Sequence, residues 1–240
     1  MGNDTERFVR PHHQKIATVL HQLNGPLLRE NNCLFAGGTA IAMRYGEYRE
    51  SVDIDFLVAD LACYRNLRQL LTGPDGIAAI TRDGVASVLQ WRDIKADQYG
   101  IRTTLYVADQ AIKFEIVLEG RISLSPPSVC DTVCGIATLT PPDMATCKLL
   151  ANSDRWSDDG VFSRDVIDLA MMTPSLTLLR QAVEKAETAY GAAIRNDLGK
   201  AIQQLQERHG RLERCMSAMA ITLPKAVLWK NLRALRRVLS

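Results

Sequence analysis

The sequence predicts an α+β protein, with a mixed β-sheet domain and flanking helices over residues 1–140 and a helical domain over residues 141–240. Three observations predict this class. Hydrophobic residues make up 47% of the 240 residues and charged residues 23%, a balance typical of a globular protein with a sizeable core. From about 77 to 139 the sequence consists of β-branched segments separated by turns. Beyond residue 141 nearly every segment has helical periodicity.

Helices and strands alternate in the first part of the chain. Apolar residues at three- and four-residue spacings predict one amphipathic helix over 12–30. A short apolar run that stops at a glycine pair predicts a buried strand. The elements expected here are a helix over 12–30, a strand over 33–36, a helix over 39–45, a strand over 51–58 and a helix over 61–71.

A hairpin and a run of helices complete the expected order. Strands over Ile101–Val107 and Ile112–Leu118 are joined by residues 108–110. The helices expected after residue 141 cover about 142–153, 162–172, 175–190, 193–208, 211–220 and 224–239.

Several classes are excluded. No apolar run approaches the ~20 residues of a membrane span, and the N-terminus lacks the hydrophobic core of a secretory signal, so we expect a cytoplasmic protein without membrane contact. Cys130 and Cys134 lack a second ligand pair, so the six cysteines are expected to be mostly buried, reduced thiols. His12 and His13 are expected in a solvated terminus.

Gly37-Gly38 lies where a predicted strand meets a predicted helix. Without Cβ atoms, the backbone N–H groups there can approach a phosphate closely, and the helix dipole favours its negative charge. Thr39 adds a hydroxyl at the same point. The turn is therefore a candidate phosphate cradle.

Asp53 and Asp55 lie on the second predicted strand, whose period of two places both carboxylates on one face. Two ionised carboxylates this close repel each other unless a cation neutralises them, and Mg²⁺ favours one or two carboxylates together with substrate phosphates. Glu115, between apolar residues on another strand, is a candidate third metal ligand; a solvated Glu paired with Lys113 is the alternative. A phosphate cradle facing a carboxylate pair is suited to metal-assisted nucleotidyl transfer.

The segments Gly37–Ala42 and Arg49–Phe56 resemble the signature of the nucleotidyltransferase superfamily, Gly-Gly/Ser followed by Asp-x-Asp/Glu. The Gly-Gly-Thr-Ala opening and the Arg-x-Ser-x-Asp-Ile-Asp closing are similar to the AbiEii/AbiGii toxin branch, which includes MenT-type toxins. A second block, Lys148–Ala151 with Arg155 and Arg164–Leu169, resembles that branch's Lys-Leu and Arg-Asp-x-x-Asp-Leu motifs.

The resemblance implies a nucleotidyltransferase-type sheet domain that transfers a nucleoside monophosphate from an NTP with Mg²⁺ or Mn²⁺. The acceptors of this branch include tRNA 3′ ends, and its members often act as toxins opposed by an antitoxin. The catalytic residues expected are Asp53, Asp55, Lys148 and Asp165; the nucleotide-binding residues are Gly37, Gly38, Thr39, Arg49 and Ser51; the metal ligands are Asp53, Asp55 and Glu115.

For several of these residues two interpretations stay open. Lys148 contacts the triphosphate, or pairs with a nearby aspartate. Asp165 positions the acceptor hydroxyl or acts as its base, or it only stabilises a helix start capped by Ser163. Asp168 joins the site or orients Arg155 or Lys148. Arg49 contacts phosphate, or pairs with Glu47 or Glu50.

Positive charge is concentrated at the C-terminus. Residues 191–240 contain ten Lys/Arg and three acids, whereas the whole chain carries a net charge of +2. This surface suits an RNA backbone or an acidic antitoxin, or it is only the solvated face of packed helices. We expect an RNA nucleotidyltransferase, with tRNA as acceptor. The alternatives are a small-molecule nucleotidyltransferase similar to aminoglycoside-modifying enzymes, and an inactive NTP-binding module.

Overall fold

The structure is a computed structural model that describes residues 7–84, 89–90 and 92–239. The chain divides into two compact units. The sheet unit comprises Met1–Glu47 and Ser51–Thr140, and the helical unit comprises Tyr48–Glu50 and Pro141–Ser240. The predicted α+β class, with helices after a mixed sheet, is confirmed.

The sheet unit contains four α-helices and eight strands within the described residues. The helices are α1 (Pro11–Gln22), α2 (Gly25–Glu30), α3 (Gly37–Arg44) and α4 (Leu61–Leu71). The strands are β1 (Leu34–Ala36), β2 (Ile54–Val58), β3 (Leu89–Gln90), β4 (Lys95–Ala96), β5 (Gly100–Val107), β6 (Gln110–Leu118), β7 (Thr132–Val133) and β8 (Ile136–Ala137).

The main sheet, as far as the described residues show it, has the strand order β1-β2-β6-β5-β3, and β4 also pairs with β5. β2 is antiparallel to β1 and parallel to β6. β5 and β6 form the expected hairpin around Ala108 and Asp109, both of which have positive φ, as a tight two-residue turn requires. The mixed sheet thus places β2 between the strand that precedes the glycine pair and the strand that carries Glu115.

One face of β2 and β6 forms the core. Burial alternates along β2, where Ile54, Phe56 and Val58 are buried and the residues between them are partly exposed. The rings of Phe35, Phe56 and Phe114 pack in series, with centroids 5.6 Å and 5.5 Å apart. Because side chains alternate along a strand, Asp55 and Glu115 are left on the opposite, accessible face.

Two predicted boundaries are wrong. The helix expected over 12–30 is two helices, because Asn24 accepts a hydrogen bond from the Leu27 N–H and caps a new helix that has Pro26 in its first turn. The strand expected from Ser51 begins at Ile54 instead, so residues 51–53 precede it. α4 has the predicted bounds, with Asp60 as its N-cap.

The helical unit packs around its first helix. Its helices are α5 (Pro141–Arg155), α6 (Arg164–Met171), α7 (Leu176–Tyr190), α8 (Ala193–Glu207), α9 (Arg211–Ala218) and α10 (Lys225–Leu235). α5 contacts α6, α7 and α8. Lys148 is therefore on the central helix of this unit and is buried there.

Two other expectations concern the whole chain. All six cysteines are free thiols, of which Cys33, Cys134 and Cys215 are buried. Among the described residues, no helix has the length and apolar character that crossing a membrane requires.

Candidate active site

The glycine pair forms the junction between β1 and α3. Gly37 has φ +71°, a conformation that residues with a Cβ rarely adopt. The residue before it, Ala36, caps α3 without any side-chain hydrogen bond, and both glycines are partly exposed. The first N–H groups of an eight-residue helix therefore have no capping side chain, and such groups can bind an anion.

Asp55 lies directly against this turn. It is the cross-strand partner of Ala36 in the antiparallel pairing of β1 with β2. A Cβ added to Gly37 would lie only 2.6 Å from Asp55 Oδ2, and 3.2 Å from Asp55 Cγ. Position 37 therefore requires glycine both for its backbone conformation and for the space that the carboxylate occupies.

Asp53 precedes β2 by one residue and, like Asp55, is partly exposed; Val52 before it is exposed and Ile54 after it is buried. Lys113, on the neighbouring strand, links the acids electrostatically. The hydrogen bond to Glu115 makes the largest contribution to the raised pKa of Lys113. The charges of Glu115, Asp55 and Asp53 raise this pKa further, and burial opposes them. All three carboxylates therefore lie within electrostatic range of one ammonium group.

Glu115 is opposite Asp55 in the parallel pairing of β2 with β6. Its carboxylate accepts hydrogen bonds from Arg102 Nε at 2.6 Å and Lys113 Nζ at 2.5 Å. Burial opposes its ionisation, but these two partners outweigh burial and lower its pKa. The structure therefore shows Glu115 paired with Lys113, which is the alternative interpretation. Metal ligation by Glu115 stays a prediction.

The donor set fits a divalent cation through two carboxylates. Asp55 lies against a turn suited to phosphate, and Asp53 is a second, partly exposed carboxylate two residues before it, which matches the preference of Mg²⁺ for few carboxylates and substrate phosphates. Within residues 7–84, 89–90 and 92–239, no group of three or more His, Cys, Asp or Glu side chains is arranged to hold a metal ion.

Thr39 and Ser51 join the turn to the segment before Asp53. The buried Thr39 hydroxyl donates a hydrogen bond to Ser51 Oγ at 2.8 Å. This bond fixes Ser51 relative to the start of α3. Contact of either hydroxyl with a nucleotide stays a prediction.

His12 and His13 are buried, so their expected solvated position is wrong. His12 contacts the Val52 carbonyl and His13 contacts the Ser51 N–H, both in the segment that leads to Asp53. The signal in the sequence was their place on the predicted amphipathic helix beside Ile16, but their partners lie about 40 residues away.

The second predicted block forms a buried ion cluster in the helical unit. Lys148 Nζ lies 3.0 Å from Asp165 Oδ1 and 2.7 Å from Asp168 Oδ2. Arg155 binds the Asp165 carboxylate through two nitrogens, at 2.7 Å and 3.0 Å. Both aspartates face Lys148, as a spacing of three residues on α6 implies. Ser163 is the N-cap residue of α6 but makes no side-chain capping bond.

Arg49 belongs to the same cluster. Its Nε and Nη2 bind the two oxygens of Asp168, at 2.6 Å and 3.0 Å, and the Tyr48 hydroxyl donates to Asp168 Oδ1 at 2.6 Å. The alternative in which Arg49 pairs with the side chain of Glu47 or Glu50 is therefore wrong, because Arg49 pairs with the carboxylate of Asp168. Its contact with phosphate stays a prediction.

The cluster is ionised. Burial acts against the charge of Asp168, yet Arg49 and Lys148 outweigh it and hold the pKa of this carboxyl well below its usual range. Burial also opposes the charge of Asp165, but Lys148 and Arg155 outweigh it and lower the pKa of this carboxyl. The two aspartates in turn outweigh burial at Lys148 and raise its pKa. Three cations and two anions are thus paired inside the helical unit.

A family model and two solved structures relate this chain to known proteins. A family model described as "Nucleotidyl transferase AbiEii toxin, Type IV TA system" matches residues 25–236. No curated protein matches. Two crystal structures from Helicobacter pylori are similar: a candidate nucleotidyltransferase, at 17% identity over 95% of this chain and 94% of that one, and JHP933, at 16% identity over 95% and 91%. Both have a TM-score of 0.49.

Proposed function

Because this chain belongs to the AbiEii nucleotidyl transferase toxin family, we propose that it transfers a nucleoside monophosphate from an NTP to an RNA hydroxyl, with tRNA as acceptor, in a reaction that requires Mg²⁺ or Mn²⁺. Membership of a toxin–antitoxin family implies a cognate antitoxin and a nucleotide substrate. NTPs, RNA and divalent cations are all available in the cytoplasm, where we place the reaction.

One observation carries the proposal: the Asp55 carboxylate lies against Gly37, the first residue of a helix whose N–H groups have no capping side chain. A phosphate on the turn and a cation on the carboxylate would be neighbours. Nucleotidyl transfer needs this arrangement, because negative charge increases on the leaving pyrophosphate.

Each part has a separate task. The backbone of Gly37 and Gly38 binds the triphosphate, and Asp53 and Asp55 would hold the cation. When bound, the cation would supply positive charge to the phosphates and lower the pKa of the attacking hydroxyl. The acceptor oxygen bonds to the α-phosphorus and loses its proton to water as the bond from the α-phosphorus to the bridging oxygen breaks, so the nucleoside monophosphate stays on the acceptor and pyrophosphate leaves.

Lys148 and Asp165 are retained as catalytic residues in this proposal. Lys148 is a point charge for phosphate, and Asp165, whose pKa is lowered, is an ionised carboxylate suited to positioning the acceptor hydroxyl rather than to taking its proton. Asp168 acts through Lys148 and Arg49, which it holds by ion pairs. We assign it a positioning role.

The C-terminal helices supply the surface for RNA. Arg214, Lys230 and Arg233 are exposed, and residues 191–240 carry ten basic residues against three acids. Some of this charge is neutralised internally, as in the pairs Lys225–Glu213 and Arg195–Glu187. The remaining cations favour a polyanionic acceptor over an aminoglycoside, which is itself cationic.

The experiment incubates the protein with each NTP labelled at the α-phosphate, Mg²⁺, and either total tRNA or a panel of aminoglycosides. We expect label on tRNA with one of the NTPs. When that NTP is labelled at the γ-phosphate instead, we expect no label on tRNA. Label on an aminoglycoside would show that the acceptor is a small molecule and not RNA. NTP binding without transfer would contradict the proposal that the protein is an enzyme.

Variants connect that activity to the carboxylates. Asp53→Ala and Asp55→Ala should each abolish transfer while the far-UV circular dichroism spectrum is unchanged. Asp109→Asn is the matched control, because Asp109 is an exposed acid at the tip of the β5–β6 hairpin and Asn tolerates its positive φ. Activity retained in either alanine variant would refute the assigned site.

A further inference from the structure

The segment Ser51–Asp53 connects two parts of the proposed site but belongs to no strand. Val52 is 47% exposed, so hydrophobic packing does little to fix this segment. Its backbone groups lie outside the sheet ladder, which begins at Ile54. Unpaired backbone groups need other partners when water is excluded, and here α1 provides them.

His12 accounts for one of these partners, and its surroundings determine which nitrogen carries the proton. His12 Nε2 lies 3.0 Å from the Val52 carbonyl oxygen, which can only accept, so Nε2 is the donor. His12 Nδ1 then accepts from Gln110 Nε2 at 2.6 Å. Lys15 Nζ donates to Gln110 Oε1 at 2.9 Å, which fixes the orientation of that amide.

His13 has the opposite tautomer. The Ser51 N–H, a donor, lies 3.2 Å from His13 Nε2, so this nitrogen carries the lone pair. Nδ1 then donates to Glu47 Oε1 at 2.8 Å. Glu47 also accepts from the N–H groups of Val9 and Arg10, which hold its carboxylate in place. Burial, which outweighs the Glu47 charge, lowers the pKa of His13 and keeps the ring neutral.

All four ring nitrogens are therefore occupied, and none is left to bind a metal. Instead the two rings hold the N–H of Ser51 and the carbonyl of Val52. That carbonyl belongs to the peptide group whose nitrogen is that of Asp53. The Thr39 hydroxyl holds Ser51 Oγ as a third point.

We infer that His12 and His13 are positioning residues for the proposed transfer: they hold the Ser51–Val52 segment and so fix the backbone of Asp53 relative to β2, which carries Asp55 against the glycine turn. The inference rests on the proposed function for its effect on catalysis, but the contacts themselves do not depend on it. The two histidines act through Ser51 and Val52, without touching substrate.

Replacing His13 by Gln or by Asn tests its two ring contacts separately. A Gln amide reaches the place of Nε2, and an Asn amide reaches only the place of Nδ1. His13→Gln therefore keeps an acceptor for the Ser51 N–H, whereas His13→Asn keeps only the contact with Glu47. His21→Asn, at a partly exposed position on the same helix, is the control for a general effect on α1.

Two readouts are measured on the full chain: hydrogen exchange of the Ser51 amide by NMR, and kcat and KM for NTP in the transfer assay. We expect slow exchange in the parent protein, His13→Gln and His21→Asn, and fast exchange in His13→Asn. His13→Asn should lose about 10²-fold in kcat, the scale of a misplaced catalytic group, with a smaller change in KM. His13→Gln should recover most of that loss.

Three results would overturn the inference. The first is equal Ser51 exchange in all variants, and the second is faster exchange in His13→Asn without a loss of kcat. The third is an equal loss in His13→Gln and His13→Asn, which would indicate that the ring matters only for filling space. If the parent protein transfers no nucleotide, the proposed function is wrong, and so is the catalytic role of the histidines. Exchange of the Ser51 amide still shows whether the contact between His13 and the Ser51 N–H exists.

Discussion

Replacement of Gly37 by alanine is the most specific test of the geometry around the proposed site. Two costs add at this position. A residue with a Cβ at φ +71° pays about 1–2 kcal/mol for the left-handed conformation. Its Cβ would also meet Asp55 Oδ2 at 2.6 Å, a distance that neither group can keep, so the carboxylate must move.

Gly46→Ala separates these costs. Gly46 has φ +84°, but an added Cβ would meet nothing within 4 Å, so it carries only the backbone cost. Urea denaturation should therefore show a loss of about 1–2 kcal/mol in Gly46→Ala. Gly37→Ala should lose more, by about 1–3 kcal/mol for overpacking. Transfer should fall by about 10²-fold in Gly37→Ala alone, since only that variant displaces Asp55.

A double variant tests the cause. In an Asp55→Ala background the clashing oxygen is gone, so Gly37→Ala should cost about 0.5–3 kcal/mol less than in the parent protein. Equal stability losses at Gly37 and Gly46, together with full activity in Gly37→Ala, would refute the reasoning, because the turn would then not lie against the carboxylate.

Three further predictions concern the rest of the chain. Asp168→Ala leaves the buried cations of Arg49 and Lys148 without this partner, and should lower the free energy of unfolding by about 3–5 kcal/mol in urea denaturation; a loss under about 1 kcal/mol would contradict this. Because burial lowers the pKa of His13 in the folded protein, the unfolded chain binds the proton first, so the free energy of unfolding should fall as pH drops below about 6.5, and His13→Gln should reduce that fall. Lys230→Gln should reduce the slope of log affinity for tRNA against log salt by about 1, measured by filter binding, and should leave NTP binding unchanged.

Local patterns predicted much of the sheet unit. The period of two along β2, which is buried at Ile54, Phe56 and Val58, leaves Asp55 on the other face, and the helix predicted over 61–71 has the bounds of α4. The break between α1 and α2 was also visible, since Asn24 and Pro26 are typical of a helix start. It was missed because the apolar spacing continues across it.

Register and distance explain what was missed. A three-residue hairpin loop over 108–110 would pair Glu115 with Thr103, whereas the two-residue turn observed pairs it with Arg102, its ion partner. One residue of loop length thus changes the neighbour of Glu115. The contacts of Arg49 with Asp168 and of His13 with Ser51 join residues 119 and 38 positions apart, and periodicity carries no information on such pairs.

The most direct measurement is a crystal structure with Mn²⁺ and a non-hydrolysable NTP, with anomalous scattering to locate the metal. We expect the Mn²⁺ peak within coordination distance of the Asp53 and Asp55 carboxylates, and the triphosphate on the N–H groups of Gly37 and Gly38. A nucleotide bound elsewhere, or a metal ion that contacts neither aspartate, would contradict the account.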